Sequence, residues 1–265
     1  MTTEQKTRIW ELDFLRGFAI LMMVFDHFMY DLMYLPGYFS NFNQVDHPVF
    51  NWLNELASWY WVSTLRSIGW EFFVLLFLLV SGVSFSFSKN NFKRGSKLLI
   101  VAALITLVTY LIDMIMGFGV LIVFGVIHMF AVNILITALI RRFIKSEVII
   151  LFIGMAILTF SFIYGLFNAS YLPLNIQNLP KIILGFGRNG ADHFGVIPYL
   201  GVILIGTVIG RVFYNNRVSL LPQVHMSERH FVRVSGKYSL IIYVVHQPVV
   251  LAFVAIIAYI FGYRF

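Results

Sequence analysis

A stretch near the start of the chain, LDFLRGFAILMMVFDHFMYDL (12–32), is apolar enough for a membrane-spanning helix but contains side chains that can do acid–base chemistry. On an α-helix, residues 11 apart differ by about 20° and lie about 16 Å apart along the axis. Arg16 and His27 therefore share one face, and Asp31, one turn further, lies within reach of the His27 imidazole. Because a carboxylate beside a histidine raises its basicity and fixes its orientation, the spacing predicts a general base at His27. Asp13 is predicted to form a plain ion pair with Arg16.

Polar side chains also interrupt the other apolar stretches. A charged residue at the centre of a bilayer costs about 2.5–3.5 kcal/mol on insertion scales, so such residues tend to face the bundle interior and mark a pathway or a site. Taken alone, an intramembrane histidine is more typical of a helix–helix contact than of a catalyst. The further catalytic candidates are Glu71, His128 and His246, and the candidates for binding the substrate are Asp192, His193 and Gln247.

The composition identifies an integral membrane protein. Of the 265 residues, 60% are hydrophobic and 12% charged, against about 45–50% and 25% in soluble domains. The N-terminus is polar and no A-x-A-like site follows the first apolar run, so we expect that run to remain as a helix. The chain has no cysteine and no HExxH-like spacing, and no metal is expected. The net charge of +7 fits basic cytoplasmic loops, and no nucleic-acid partner is expected.

Seven apolar stretches have the length of a membrane span. They lie near 11–34, 67–88, 97–116, 118–140, 147–166, 194–214 and 237–262. The aromatic segment 49–66 is predicted to be an interfacial helix. With the N-terminus in the cytoplasm, most of the 19 Lys and Arg residues fall on the cytoplasmic side, and the outer side receives only Arg66, Lys181, Arg188 and Arg264. The prediction is an all-α, multi-pass bundle of the cell membrane, with one domain over 1–265 and its C-terminus outside.

Several motifs resemble known families of membrane acyltransferases. The segment RGFAILMMVFDH resembles the R-x10-H signature of the membrane-bound acyltransferase-3 family, and GWEFFVLLFLLVSG resembles a second motif of that family. The motifs ELDFLRG with HFMYDL, FGVIHMFAVNILI, DHFGVIPYLGVILIGTVIGR and GKYSLIIYVVHQPVVL occur in the order found in bacterial relatives of the heparan-α-glucosaminide N-acetyltransferase catalytic domain. That resemblance covers nearly the whole chain. It implies transfer of an acetyl group from cytoplasmic acetyl-CoA to a sugar amine or hydroxyl at the outer side.

The resemblance also implies roles for individual residues. The phosphates of acetyl-CoA are expected at the basic cytoplasmic face, and its pantetheine arm beside Arg16. Candidate phosphate ligands are Lys89, Lys93, Arg94, Arg141 and Arg142. His27 then acts as general base or acyl carrier, while His128, His246 or Gln247 stabilises the oxyanion.

Selectivity for the carbohydrate acceptor is expected in the loop 167–193. The other expected partner is membrane lipid, and an exposed aromatic face is compatible with a homodimer. The alternative from another class is a proton-coupled transporter or channel that uses the same intramembrane acids and histidines. No inverted repeat supports that alternative.

Overall fold

Helices make up the regular structure of this protein. The computed structural model describes residues 8–117, 119–190, 192–224 and 226–265. Within these residues the one β-type pairing is an isolated bridge between Tyr171 and Arg188. The helices are α1 (Trp10–Met33), α2 (Leu35–Tyr38), α3 (Phe42–Val45), α4 (Pro48–Val62), α5 (Thr64–Phe85), α6 (Asn91–Met116), α7 (Val126–Phe143), α8 (Glu147–Ile163), a 3-10 turn (Leu166–Asn168), α9 (Leu179–Leu184), α10 (Val196–Val212), α11 (Phe231–Lys237) and α12 (Ser239–Ile260). The prediction of an all-α fold is confirmed.

Each predicted membrane span overlaps one helix, and the shortest of these helices, α8 and α10, have 17 residues. Among the described residues, α5, α6, α7 and α12 are long and apolar enough to cross a membrane, and α8 and α10 are shorter apolar helices. The 24 residues of helix α1 include the charged side chains of the first predicted span. The predicted interfacial segment corresponds to α4. The placement of the termini on the two sides of the membrane stays a prediction.

The predicted span 118–140 is wrong at its start. Residues 119–125 are not helical, and α7 begins only at Val126. Gly117 and Gly119 have φ angles of 65° and 67°, in the left-handed region that favours glycine. The chain then returns along α6, where the Val120 N–H donates to Asp113 Oδ1 (3.1 Å). Hydropathy misses this turn because the returning segment is as apolar as a helix.

The chain divides into two compact units. Unit 1 comprises Met1–Phe77 and Val218–Phe265. In it α1 packs against α11 at two glycines, because a Cβ on Gly17 would overlap the Val232 carbonyl oxygen and one on Gly236 would overlap that of Asp13. Such close approach between helix backbones is typical of packing in membranes. The other neighbours of α1 are α12 and α4.

Unit 2 comprises Leu78–Arg217 and is also assembled at small residues. A Cβ on Gly82 would lie 2.9 Å from the Cα of Gly206, and one on Gly201 would lie 2.7 Å from the Gly154 carbonyl oxygen. These contacts bring α10 against α5 and α8. A Cβ on Gly95 would lie 2.8 Å from the side chain of Leu135, so α6 packs closely on α7. The prediction of one domain over residues 1–265 stays a prediction.

Candidate active site

Two histidines meet between α1 and α12 in unit 1. The rings of His27 and His246 pack edge to face, with centroids 4.7 Å apart and planes at 83°. His27 Nδ1 lies 2.9 Å from the Met23 carbonyl oxygen, and His246 Nδ1 lies 2.7 Å from that of Tyr243. A carbonyl oxygen only accepts, so both Nδ1 atoms carry the hydrogen. In the neutral rings both Nε2 atoms are therefore acceptors.

Asp31 is held by partners other than His27. Its carboxylate is fully buried and accepts from the Tyr38 hydroxyl (3.1 Å) and from Gln247 Nε2 (3.0 Å to Oδ1 and 3.2 Å to Oδ2). Met23 rather than Asp31 accepts the Nδ1–H hydrogen bond of His27. Among the described residues His27 makes no hydrogen bond to Asp31, and the expected influence of this carboxylate on the imidazole stays a prediction. The backbone of the ring's own helix orients the imidazole.

The cluster is rich in acceptors. His246 is 8% exposed, and its Nε2 has no hydrogen-bond partner among the described residues; the same holds for the buried Oε1 of Gln247. The amide hydrogens of Gln247 are turned toward Asp31, which leaves the oxygen unpaired. Buried polar atoms are normally paired, so these two acceptors on adjacent residues of α12 are available to a hydrogen-bond donor.

Asp13, Arg16 and Asp26 of α1 form ion pairs, while the buried Glu11 accepts from the Leu220 N–H (2.7 Å). Asp26 accepts from Arg66 through both carboxylate oxygens (2.9 and 3.0 Å) and from the Tyr60 hydroxyl (3.0 Å). Asp13 pairs with Arg16 at 3.3 Å, as predicted, and with Arg8 at 2.9 Å. These ion pairs explain how a helix with so many charges packs in an apolar bundle.

Two side chains of unit 1 have surroundings that differ from those expected from the sequence. Glu71 is exposed on α5, and the described residues offer it no hydrogen bond or ion pair. Tyr38, by contrast, was not among the predicted site residues, yet it donates to Asp31 from α2. Its spacing of seven residues from Asp31 in DLMYLPGY was the available signal, because it equals two helical turns.

Unit 2 contains His128 and Asp192, and both hold the start of α7. His128 Nδ1 accepts the Gly125 N–H (3.3 Å), so its Nε2 carries a hydrogen and donates to Thr106 Oγ1 (2.9 Å). Asp192 Oδ2 accepts the Val126 N–H (3.2 Å). The described contacts of both residues are those of a helix N-terminus and the segment before it.

His193 lies in the loop before α10. Its Nε2–H donates to the Ile182 carbonyl oxygen (3.0 Å), which connects α9 to that loop. Burial lowers the pKa of His193, so the neutral ring is favoured there.

The predicted phosphate ligands fall into two groups. Lys89 is exposed in the bend between α5 and α6, Lys93 in the first turn of α6 and Arg142 in the last turn of α7. Arg94 is half-buried and engaged by neighbours. Arg141 is buried, with Nη1 donating to Glu147 Oε1 (2.8 Å) and Nη2 to Thr207 Oγ1 (2.6 Å). Arg16 belongs to unit 1, and the other five candidates belong to unit 2.

Metal binding finds no support in the described part of the chain, where no group of three or more His, Asp or Glu side chains is placed to hold an ion. The expectation that no metal takes part stays a prediction.

Comparison with known proteins gives one match. The family model described as "Heparan-alpha-glucosaminide N-acetyltransferase, catalytic" matches residues 8–248, which is most of the chain and includes His27, His246 and Gln247. No curated protein and no solved structure matches the chain.

Proposed function

Because the chain belongs to the family of the heparan-alpha-glucosaminide N-acetyltransferase catalytic domain, we propose that it moves an acetyl group from acetyl-CoA to a primary amine on a saccharide, with His27 as general base. Membership makes the chain a membrane acetyltransferase, and the transporter alternative has no comparable support. The donor, the amine and the residue roles are the proposal. We place the enzyme in the cell membrane, with the basic helix ends toward the cytoplasm.

The acceptor character of the cluster is the observation that carries the choice of an amine. His27 Nε2, His246 Nε2 and Gln247 Oε1 are all acceptors in the hydrogen-bonding pattern of unit 1. An ammonium group has three N–H donors, whereas a hydroxyl has one. An amine therefore satisfies more of the unpaired atoms. The buried carboxylate of Asp31 adds a negative charge that favours a cationic ligand.

The chemistry requires two proton transfers. An ammonium group must lose one proton before its nitrogen can attack the thioester carbonyl, and a second when the amide forms. The C–N bond forms, the C–S bond breaks, and the departing thiolate takes up a proton to give the CoA thiol. Two neutral imidazoles side by side can accept these protons at their Nε2 atoms. His27 is the base that acts on the attacking nitrogen, and His246 is the second acceptor.

This arrangement changes one expected role. His246 and Gln247 were expected to donate to the oxyanion, but the ring hydrogen of His246 is directed at Tyr243 and the amide hydrogens of Gln247 at Asp31. We therefore assign both residues to binding the amine. An acetyl group carried on Nε2 of His27 is the main variant of the mechanism.

The donor's phosphates fit exposed cations. Lys89, Lys93 and Arg142 are free to bind them, while Arg141 would first have to leave Glu147. We propose the three exposed residues as phosphate ligands. Arg16, partly exposed beside Asp13, is the proposed contact in unit 1.

The test is acetyl transfer by purified protein from acetyl-CoA to a hexosamine and to the matching hexose, followed by mass spectrometry. We expect acetylation of the amine only. His27→Gln should reduce the rate by about 10²–10⁴-fold, and the exposed His230→Gln is the matched control. Equal acetylation of the hexose, or normal transfer by folded His27→Gln, would overturn the proposal. Acetylated protein after incubation with acetyl-CoA alone, absent in His27→Gln, would establish the carrier variant.

A further inference from the structure

An open groove with a volume of about 300 Å³ lies along the last turns of α12 in unit 1 and is here called the α12 groove. Its lining is almost entirely apolar and consists of Ala255, Ile256, Tyr259, Ile260 and Phe265. Clefts of this size are large enough to hold a ligand. The lining residues follow the part of the chain that the family model matches, residues 8–248, so the groove is not a feature of the matched domain.

The length of α12 places this groove near the edge of a membrane. The helix has 22 residues, which corresponds to about 33 Å, against a hydrocarbon core of about 30 Å. When α12 crosses the bilayer, its last turn therefore reaches the boundary between acyl chains and headgroups. The tyrosines at 259 and 263 fit this depth, since tyrosine favours the interface. Arg264 then lies at the level of the headgroups.

Arg264 is held beside the groove from both its backbone and its side chain. Its N–H donates to Asn41 Oδ1 (2.7 Å), and its carbonyl oxygen accepts from the Ser40 N–H (2.9 Å). The guanidinium carbon lies 4.3 Å from the centroid of the Tyr259 ring, which is one wall of the groove. Nη1 donates to the carbonyl oxygens of Tyr259 (3.2 Å) and Tyr263 (2.8 Å). These contacts fix the position of the cation.

One edge of the Arg264 guanidinium is available to a ligand. The group has five N–H donors, and Nη1 uses its two on the carbonyl oxygens. The three on Nε and Nη2 have no partner among the described residues, and the ion pairs of these residues do not include the exposed Arg264. Capping the end of α12 accounts for Nη1 alone. The open edge is the fork that binds two oxygens of a phosphate.

We propose that the α12 groove and Arg264 together bind one anionic phospholipid. An acyl chain lies in the apolar groove, and two phosphate oxygens accept from Nε and Nη2 of Arg264. The lipid is anionic because a zwitterionic headgroup brings its own cation, which offsets the attraction of the guanidinium for the phosphate. This inference does not depend on the proposed acetyl transfer, since it uses none of the residues of the candidate active site.

The experiment is native mass spectrometry of the full-length protein in detergent, titrated with phosphatidylglycerol and with phosphatidylcholine of the same acyl chains. For the first bound lipid we expect phosphatidylglycerol to bind about five- to tenfold more tightly. Arg264→Gln should bring the ratio of the two Kd values close to one. Arg188→Gln is the matched control, because Arg188 is also exposed but belongs to unit 2.

Two further arms test the groove itself. Ala255→Phe fills the groove with a ring and should weaken the binding of both lipids by a similar factor. Glycerol phosphate carries the anion without acyl chains and should compete only weakly with phosphatidylglycerol. Arg264→Lys keeps the charge without the fork, so it should lower the preference for phosphatidylglycerol, and it replaces Arg264→Gln if that variant does not fold.

The results that would overturn the inference are distinct. Equal binding of both lipids by the unmodified protein, or an unchanged ratio in the variants of Arg264, removes the headgroup contact. An equal loss of preference in Arg188→Gln means that only the general charge of the protein attracts the lipid. Full competition by glycerol phosphate means a phosphate site without a lipid. Unchanged lipid binding by Ala255→Phe, with dissociation of a dimer, means that the groove is an interface between copies of the chain.

Discussion

Exchanging the carboxylate of Asp31 for an amide would place two hydrogen-bond donors against each other. Both carboxylate oxygens accept from Gln247 Nε2, at 3.0 and 3.2 Å. An asparagine keeps one oxygen that accepts from Gln247 Nε2, but its NH₂ group replaces the other oxygen and lies against the NH₂ group of Gln247, and the acceptor loses its charge. The double variant Asp31→Asn/Gln247→Glu reverses the roles, because the new carboxylate at 247 accepts from the new amide at 31.

The magnitude follows from these contacts. A hydrogen bond to a charged acceptor contributes about 1.5–3 kcal/mol, and a buried donor without a partner costs about 1–3 kcal/mol. Because one oxygen remains to accept, Asp31→Asn should lower the free energy of unfolding by about 1–3 kcal/mol. The exchanged pair should recover at least half of this loss, so the coupling in a double-mutant cycle, which also includes the cost of Gln247→Glu alone, should be at least about 1 kcal/mol.

The assay is unfolding in mixed detergent micelles, followed by tryptophan fluorescence. All five tryptophans precede residue 78 and so report on unit 1 alone. The single variants Asp31→Asn and Gln247→Glu complete the cycle. If the effects of the two single variants simply add in the double variant, the hydrogen bonds between these side chains do not hold α1 to α12 and the reasoning fails.

Three further predictions concern packing, charge and pH. Gly17→Val would push a side chain into the Val232 carbonyl oxygen, and the same unfolding assay should show a loss of more than about 2 kcal/mol; a neutral result would mean that α11 does not pack closely on α1. Arg66→Met leaves the buried Asp26 without its ion-pair partner, with only the Tyr60 hydroxyl as a donor, and should cost about 3–5 kcal/mol in that assay, whereas a cost below 1 kcal/mol would contradict a structural ion pair. Because burial lowers the pKa of His193, the unfolded chain takes up a proton at higher pH than the folded one. The free energy of unfolding should thus fall as the pH drops below about 6.5, and circular dichroism melts of His193→Gln should show a weaker dependence; identical pH profiles would refute it.

The sequence predicted those features that depend on residues close together in the chain. Apolar runs located the long helices because hydrophobic length is a local property. The pairing of Asp13 with Arg16 was predicted for the same reason, since three residues separate them. The buried environment of the His27 region followed from the cost of placing polar groups in lipid.

Partners distant in the chain could not be predicted. Gln247 approaches Asp31 from α12, 216 residues further along the chain. His27 bonds to the Met23 carbonyl oxygen one turn before it, although Asp31 lies one turn after it on the same helix. Helical spacing gives a common face but does not select one partner among several in reach.

The turn before α7 was missed for a different reason. The glycines at 117 and 119 allow the chain to reverse, and the polar side chains that receive its backbone hydrogens lie on the preceding helix. A hydropathy plot averages over such a segment and merges it with the helix that follows.

The late start of α7 has a consequence for the membrane around unit 2. Helices α7, α8 and α10 have 18, 17 and 17 residues, which corresponds to about 26–27 Å of helix against a hydrocarbon core of about 30 Å. A helix of this length that crosses a membrane is shorter than the hydrocarbon layer, and a bilayer adapts to such a mismatch by thinning beside the helix. Unit 2 should therefore prefer lipids with short acyl chains, and its thermal stability in nanodiscs should rise as the chains are shortened toward that length.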